Sequence, residues 1–300
     1  ADAVKFQSYS PERYASASDP ARLARVEKFA LSTDDHRVIS READQLGIEV
    51  LSTPLTEDLV PLLDELFPVF KIASGDLTFE PVIRATAKTG KPVILSTGLG
   101  TMEEIETAID WVRNEVGEEQ LRNRLALMHC VTSYPTAIED ANVRSVPWLA
   151  EKTGLHVGYS NHVIGLEACY SAIALGACII EVHFTNKKSD REFHDHALSC
   201  DPEDLEKLVL AAPRIRATLG SYFKEPQATE LPNLLAVRKG IVAARDLKAG
   251  SKLTRDDLMY ARPATEFAAS ELGNLIGCIL TEPLKRGELV PRDGVLQRGK

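Results

Sequence analysis

Three hundred residues, 44% hydrophobic and 26% charged, carry enough apolar surface for a large core, which excludes disorder as the dominant state. Forty-four acidic against 35 basic residues leave a formal net charge of −9, so no global positive field exists to hold a phosphate backbone, and nucleic acid is not expected as a partner. The uncharged run 168–180 stops at Glu181, too short to cross a bilayer of about 30 Å, and no membrane span is expected.

Short β-rich runs alternate with helix-like segments through the first two thirds of the chain, the pattern of repeated βα units on a parallel sheet. Strands are predicted over 4–7, 49–53, 69–73, 92–97, 125–131, 156–160 and 179–184. A helix is predicted over 101–116, where Ile105, Ala108, Ile109 and Val112 recur at helical spacing behind a Thr101 cap with Glu104 three residues on. Polar and ionisable residues gather at the C-terminal end of nearly every strand, as in a (β/α)8 barrel that draws its active site from many strands. No G-x-G-x-x-G follows the first strand, so the dinucleotide fingerprint of a doubly wound sheet is absent. Lys5 and Gln7 share one face of their strand while Val4 and Phe6 share the other, which predicts a polar lumen and an apolar face toward the helices.

After Leu219 the texture changes. A polar connector at 221–232 separates a barrel domain over 1–220 from a small β-rich module over 233–300. Within that module, strands are expected over 238–246 and 253–258, with a turn at Ala249 and Gly250 and a closing run at Leu289, Val290 and Pro291. The cysteines Cys130, Cys169, Cys178, Cys200 and Cys278 are odd in number and lack C-x-x-C spacing, which argues against a disulfide framework or zinc ribbon and fits a reducing cytoplasm. Residues 1–7 have neither a basic nor a long apolar leader, so no secretory signal is expected.

Two constellations carry chemistry. His162 and His183 lie at the ends of consecutive strands, and in a closed barrel both point into one mouth. Two neutral imidazoles with open positions suit a labile divalent ion, Mn²⁺ or Mg²⁺; the plain alternative is a pair of hydrogen-bonded core residues. Lys5 and Lys71 each sit inside apolar strand sequence, where an ammonium must reach the rim or meet an anion. Beside them stand Thr53, Ser74, Ser96, Thr97 and Ser160, several next to glycine, and lysine charge with hydroxyl and backbone donors seats phosphate or carboxylate. Asp76, Tyr134, Glu139 and Asp140 are further polar candidates near strand ends. His194, Asp195 and His196 read as a polar loop more readily than as a metal cluster, because neighbouring side chains on extended chain diverge.

These blocks resemble the sialic acid synthase family, the phosphoenolpyruvate-condensing enzymes that make nonulosonic acids. The resemblance rests on Lys5-Phe6-Gln7, Leu51-Ser52-Thr53-Pro54, Lys71-Ile72-Ala73-Ser74-Gly75-Asp76, Ile94-Leu95-Ser96-Thr97-Gly98, His129-Cys130 with Tyr134-Pro135-Thr136, Gly158-Tyr159-Ser160-Asn161-His162 and Glu181-Val182-His183-Phe184-Thr185. Ala243-Ala244-Arg245-Asp246-Leu247 with Ala261-Arg262-Pro263 is similar to its C-terminal antifreeze-like, or SAF, domain.

The resemblance implies a metal-dependent synthase that joins phosphoenolpyruvate to a 2-acetamido sugar aldehyde, N-acetylmannosamine or a diacetamido-dideoxy relative. It implies that Lys5, Thr53, Lys71, Ser74, Ser96 and Ser160 hold phosphoenolpyruvate, that His162 and His183 ligate the metal, and that Gln7, Asp76, Tyr134 and Asp195 meet the sugar. Thr132, where asparagine is common, belongs to the same substrate wall, and Asp76, Lys71 and Asp195 are the expected catalytic groups. The resemblance further implies a homodimer whose SAF domain covers the partner's active site, with Arg262 reaching the acylamido group. Three further features depart from the pattern. Asn161 stands where aspartate is usual, the loop 186–194 lacks a Pro-Gly-Pro, and the family's first strand has no counterpart. An eight-stranded barrel lacking one strand leaves two open edges, so roughly 40 further residues are expected upstream. The alternative readings are an ulosonic acid phosphate synthase acting on a sugar phosphate and a non-catalytic sugar-binding homologue.

Overall fold

The structure, a computed structural model, describes residues 1–189 and 195–296. The chain divides into two compact units, Ala1–Gly220 and Ser221–Lys300. Among the described residues no helix is long and apolar enough to cross a membrane.

Seven strands build the first unit: β1 (Ala3–Ser8), β2 (Glu49–Pro54), β3 (Phe70–Ile72), β4 (Val93–Ser96), β5 (Leu125–His129), β6 (His156–Asn161) and β7 (Ile180–Val182). They form one parallel sheet in strict chain order, each joined to the next by a helical crossover. Every predicted strand is present, but β3, β4, β5 and β7 end one to two residues early. Their last backbone donors turn to other partners: the Thr97 N–H donates to the Met128 carbonyl and the Gly98 N–H to Ser74 Oγ. His162 and His183 consequently sit just beyond β6 and β7, on the first loop residue.

Residue parity along the strands sorts the two faces. Phe6, Phe70, Ile72, Leu95 and Leu127 pack outward into one apolar core with the helices, while Lys5, Lys71 and Glu181 point inward. The helix Met102–Val116 shows why these sequences choose their elements. Thr101 and Glu104 close a capping box, and Ile105, Ala108, Ile109 and Val112 are buried on one stripe. Arg84 ties the neighbouring helix Glu80–Lys88 to it through Glu115 at 2.7 Å.

The sheet is a curled half-barrel rather than a closed (β/α)8 barrel. Among the described residues β1 pairs only with β2, and β7 only with β6. Yet Lys5 Nζ on β1 lies 3.4 Å from Glu181 Oε1 on β7, so the sheet curves until its first and last strands face one another.

The second unit has its own core around Ile241, Leu253, Leu258, Leu275, Leu280 and Val290. Its strands are β8 (Gly240–Ala243), antiparallel to β9 (Leu258–Ala261), and β10 (Ile279–Leu280), antiparallel to β11 (Val295–Leu296). The strand expected over 253–258 is instead a capped 3-10 turn at Arg255–Asp257 that leads into β9. Thr254 and buried Asp257 hold each other there, and Arg245 Nε donates to Asp257 at 2.8 Å; the polar pairs outweigh the apolar ends that suggested a strand. A short helix, Leu234–Val237, follows directly after the connector.

Candidate active site

A cavity of about 590 Å³ opens at the C-terminal ends of the seven strands. It brings together Lys5, Gln7, Thr53, Lys71, Ser74, Asp76, Ser96, Thr132, Tyr134, Ser160, His162, His183 and Asp195, residues the sequence spreads over the whole first unit.

The floor is ionic. Lys71 is 4% exposed; its ammonium donates to Ser96 Oγ and, at 3.3 Å, to the Ile72 carbonyl. Glu181 stands between the two lysines, with Oε1 3.4 Å from Lys5 Nζ and Oε2 3.3 Å from Lys71 Nζ. Burial pushes the Glu181 carboxyl up, but the Lys71 and Lys5 ammoniums together outweigh it and hold it down at about 2. Burial likewise lowers the Lys71 pKa, a pull that the Glu181 carboxylate opposes. Two positive charges against one negative leave a surplus beside Ser96, Thr53 and Ser160, and that surplus can seat an anion.

One wall is built by close approach of three loops. Ser74 Oγ accepts from the Gly98 N–H at 3.1 Å and lies 3.0 Å from Cys130 Sγ. A Cβ on Gly98 would stand 2.3 Å from Thr132 Oγ1 and 2.8 Å from Ser74 Oγ, so only glycine fits. Thr132 Oγ1 itself is buried against the Gly98 turn with no hydrogen-bond partner, on a residue that lines the cavity. Asp76 closes the 3-10 turn Ser74–Asp76; burial raises its carboxyl to about 6, and Oδ2 has no hydrogen-bond partner. A carboxylic acid poised near neutrality is suited to take or give a proton.

The two imidazoles meet as expected from the strand ends. Their ring centroids are 5.4 Å apart, and the Tyr134 ring lies 4.2 Å from His162 and 5.8 Å from His183. His162 Nδ1 is 2.6 Å from the Val131 carbonyl, which can only accept, so Nδ1 carries the proton and Nε2 keeps its lone pair. Burial lowers both histidines, His183 further through His162, so neutral imidazole is favoured at each. Asp195 Oδ2 lies 3.7 Å from His183 Nδ1. Oriented neutral imidazoles with a backbone carbonyl behind one of them are the donor chemistry of a divalent-metal site. Among the described residues no three histidine, cysteine or acidic side chains form a ligand cluster, so further ligands would come from water or substrate.

Other candidates lie elsewhere. Glu139 and Asp140 are exposed on a 3-10 turn outside the cavity. His196 Nδ1 is 2.8 Å from Thr185 Oγ1, a loop contact, and His194 lies outside the described residues. Arg262 is exposed on the second unit, directly after β9. Asn161 faces away from the cavity: its amide nitrogen donates to the carbonyls of Val163 and Gly165, a task aspartate cannot perform. Sequence reasoning missed Glu181, although its two-residue offset from His183 on one strand places both on the lumen face. It also missed Arg13, Tyr14, Arg22, Leu55 and Phe79, which line the cavity from loops that carry no motif.

With this geometry in place, comparison with known proteins assigns the lineage. The NeuB family model matches residues 1–224, and the SAF domain model matches residues 238–296. The chain is 36% identical over 301 residues to the N,N'-diacetyllegionaminic acid synthase of Legionella pneumophila, covering 96% of this chain and 84% of that protein. It is 30% identical over 302 residues to a pseudaminic acid synthase of Campylobacter jejuni, covering 96% and 86%. Among solved structures, the N-acetylneuraminic acid synthetase of Leptospira borgpetersenii, in complex with citrate, superposes with a TM-score of 0.71 at 32% identity, covering 78% of this chain and 79% of that one. A lumen of lysines and paired imidazoles on a NeuB-type sheet, followed by a SAF domain, makes this chain an enzyme of the NeuB family, the nonulosonic acid synthases.

Proposed function

We propose that the enzyme condenses phosphoenolpyruvate with an open-chain acylamino sugar aldehyde, releasing phosphate and a nonulosonic acid. The observation that carries this reading is the juxtaposition, in one cavity, of the Lys5–Glu181–Lys71 floor and the His162/His183 pair. Phosphoenolpyruvate is trianionic, and the surplus positive charge beside Ser96, Thr53, Ser74 and Ser160 is a seat for its phosphate and carboxylate. His162 and His183 would hold Mn²⁺ or Mg²⁺, and such an ion, when bound, supplies Lewis acidity to the sugar carbonyl.

In the step itself C3 of phosphoenolpyruvate bonds to the aldehyde carbon, and the aldehyde oxygen gains a proton. Water adds at C2, giving up a proton, and the C2–O bond to phosphate then breaks to leave the keto acid. Lys71 and Lys5 hold the phosphate in place throughout, Asp76 takes the proton from the entering water, and Asp195 and Gln7 orient the sugar hydroxyls. Sequestering the reaction in a lumen with buried walls keeps stray water from the cationic C2.

The complete enzyme, in this reading, is a homodimer in the cytoplasm. The SAF unit of one copy covers the cavity of its partner and Arg262 meets the acylamido group. Support comes from Leu99, Ile164 and Phe184, all more than half exposed on the loops that follow β4, β6 and β7. Charge supports it too: residues 221–300 carry 13 basic and 10 acidic side chains, and residues 1–220 carry 22 and 34. An eighth strand pairing with β1 and β7 would close the barrel. An acceptor bearing its own phosphate is the weaker reading, because Arg13, the basic group nearest such a role, is already tied to Glu57 and Asp58.

The test is phosphate release from phosphoenolpyruvate, Mn²⁺ and N-acetylmannosamine or a diacetamido sugar, with and without EDTA. Release that needs both sugar and metal is expected; release from phosphoenolpyruvate without sugar, or none with any acylamino sugar, refutes the reading.

A further inference from the structure

Of the five cysteines, Cys130 alone lines the cavity among the described residues, and the reaction above gives it no task. It directly follows β5 and is 5% exposed. Its neighbours in space come from the turns after β3 and β4. Ser74 opens the 3-10 turn after β3, and Gly98 lies just beyond β4. β3, β4 and β5 are consecutive in the sheet, so the three turns run side by side, and a glycine in the middle one lets the outer two meet across it. The fit is tight: a Cβ on Gly98 would stand 2.8 Å from Ser74 Oγ and 3.0 Å from Cys130 Sγ.

Ser74 Oγ is where these contacts converge. A hydroxyl has one proton to give and two lone pairs to fill. The Gly98 N–H fills one of them at 3.1 Å. Cys130 Sγ lies 3.0 Å from the same oxygen, and among the described residues Ser74 is the thiol's one hydrogen-bond partner. Thr132 Oγ1, the other polar atom of this wall, has no hydrogen-bond partner and does not compete for the thiol proton. Geometry alone lets either Ser74 or Cys130 be the donor. An anion in the seat decides the direction. Phosphate and carboxylate oxygens only accept, so Ser74 must turn its proton to them, and its second lone pair is left for the Cys130 S–H. Donors then run in a chain from Cys130 through Ser74 to the anion, and each donor into the serine oxygen polarises its O–H and strengthens the bond it makes to the ligand.

We infer that Cys130 is a positioning residue of the anion seat: its S–H fixes Ser74 as a donor to phosphoenolpyruvate. The inference rests on the synthase reading above and deepens it, adding a group behind the seat that touches no reacting atom.

The test is a double-mutant cycle between Cys130 and Ser74, read as the dissociation constant for phosphoenolpyruvate by calorimetry and as KM and kcat in phosphate release. Cys130→Ala is expected to weaken phosphoenolpyruvate binding about three- to tenfold, the worth of one modest hydrogen bond, with kcat changed less than KM. Cys130→Ser keeps a donor and should bind within about twofold of the wild type. Thermal melts separate this from packing: both variants lose the contacts of the sulfur and should melt lower, yet only the alanine variant should bind weakly. In a Ser74→Ala background, Cys130→Ala should cost no further affinity, because the group it acts through is gone. Equal binding by the wild type and Cys130→Ala, a loss in Cys130→Ser as large as in Cys130→Ala, or losses that add in the double variant overturn the inference and leave the synthase reading standing. If phosphoenolpyruvate binds but no acylamino sugar releases phosphate, the synthase reading fails, and the binding cycle alone decides the role of Cys130. No binding to the wild type overturns both.

Discussion

Replacing Glu181 by Gln tests the ionic floor most directly, because it should push stability and ligand response in opposite directions. The carboxylate lies 3.3 and 3.4 Å from two ammoniums, one of them almost fully buried. Removing its charge leaves Lys71 and Lys5 facing each other without compensation, and breaking a buried pair in this way costs about 3–5 kcal/mol. For a unit of this size that is roughly 6–20 °C in melting temperature. A substrate anion would then supply the missing negative charge, so phosphoenolpyruvate should raise the melting point of Glu181→Gln by clearly more than it raises the wild type. Saturation at about 100 times Kd adds roughly 2.7 kcal/mol to any binder, which sets the wild-type increment to compare against. The assay is a thermal melt of both proteins with and without phosphoenolpyruvate, at a pH where both lysines are charged. A variant that melts with the wild type, or gains no more from the ligand, would show that Glu181 does not carry the floor.

Three further outcomes follow from the same geometry. Asp76→Asn should lower kcat by about 10²–10⁴ and remove the rise of wild-type activity through pH of about 6. Because burial raises the Asp76 carboxyl from 3.8 to about 6, folding is favoured while it is protonated and that advantage is lost as pH rises between those values; the asparagine variant should thus melt higher than wild type at neutral pH and no higher below about pH 3.8. Gly98→Ala forces a methyl into Thr132 Oγ1 and Ser74 Oγ and should cost about 1–3 kcal/mol in urea unfolding, with a weakened KM for phosphoenolpyruvate; unchanged values for both would contradict the packing described. His162→Ala should abolish calorimetric Mn²⁺ binding and EDTA-sensitive turnover, whereas retention of both would move the metal elsewhere.

Much of the site was legible because its chemistry rides on strand ends. Lysines in apolar runs and histidines after consecutive strands announce the lumen, since period-two alternation fixes which side chains point inward. The seven strands and the Thr101 capping box were legible for the same local reasons. What escaped depends on tertiary contact. Tyr14 and Arg22 reach the cavity only because their connector folds over a cluster centred on Leu55, and no local pattern encodes that. The strand misplaced at 253–258 failed because Thr254, Asp257 and Arg245 bind each other across the turn. Asn161 read as a departure within a motif, and its two backbone contacts account for it without touching the reaction.

The contact between Lys5 and Glu181 joins the first strand of the unit to the last. Such a clasp cannot form until every intervening βα element has taken its place, since it closes nearly the longest loop the unit contains. Maturation of the floor is therefore a late event in folding, and a chain arrested part-way would hold scattered lysines without a place for an anion. Ligand and fold are linked in the other direction as well: an anion held between those lysines ties edge strand β1 to interior strand β3 and resists their parting.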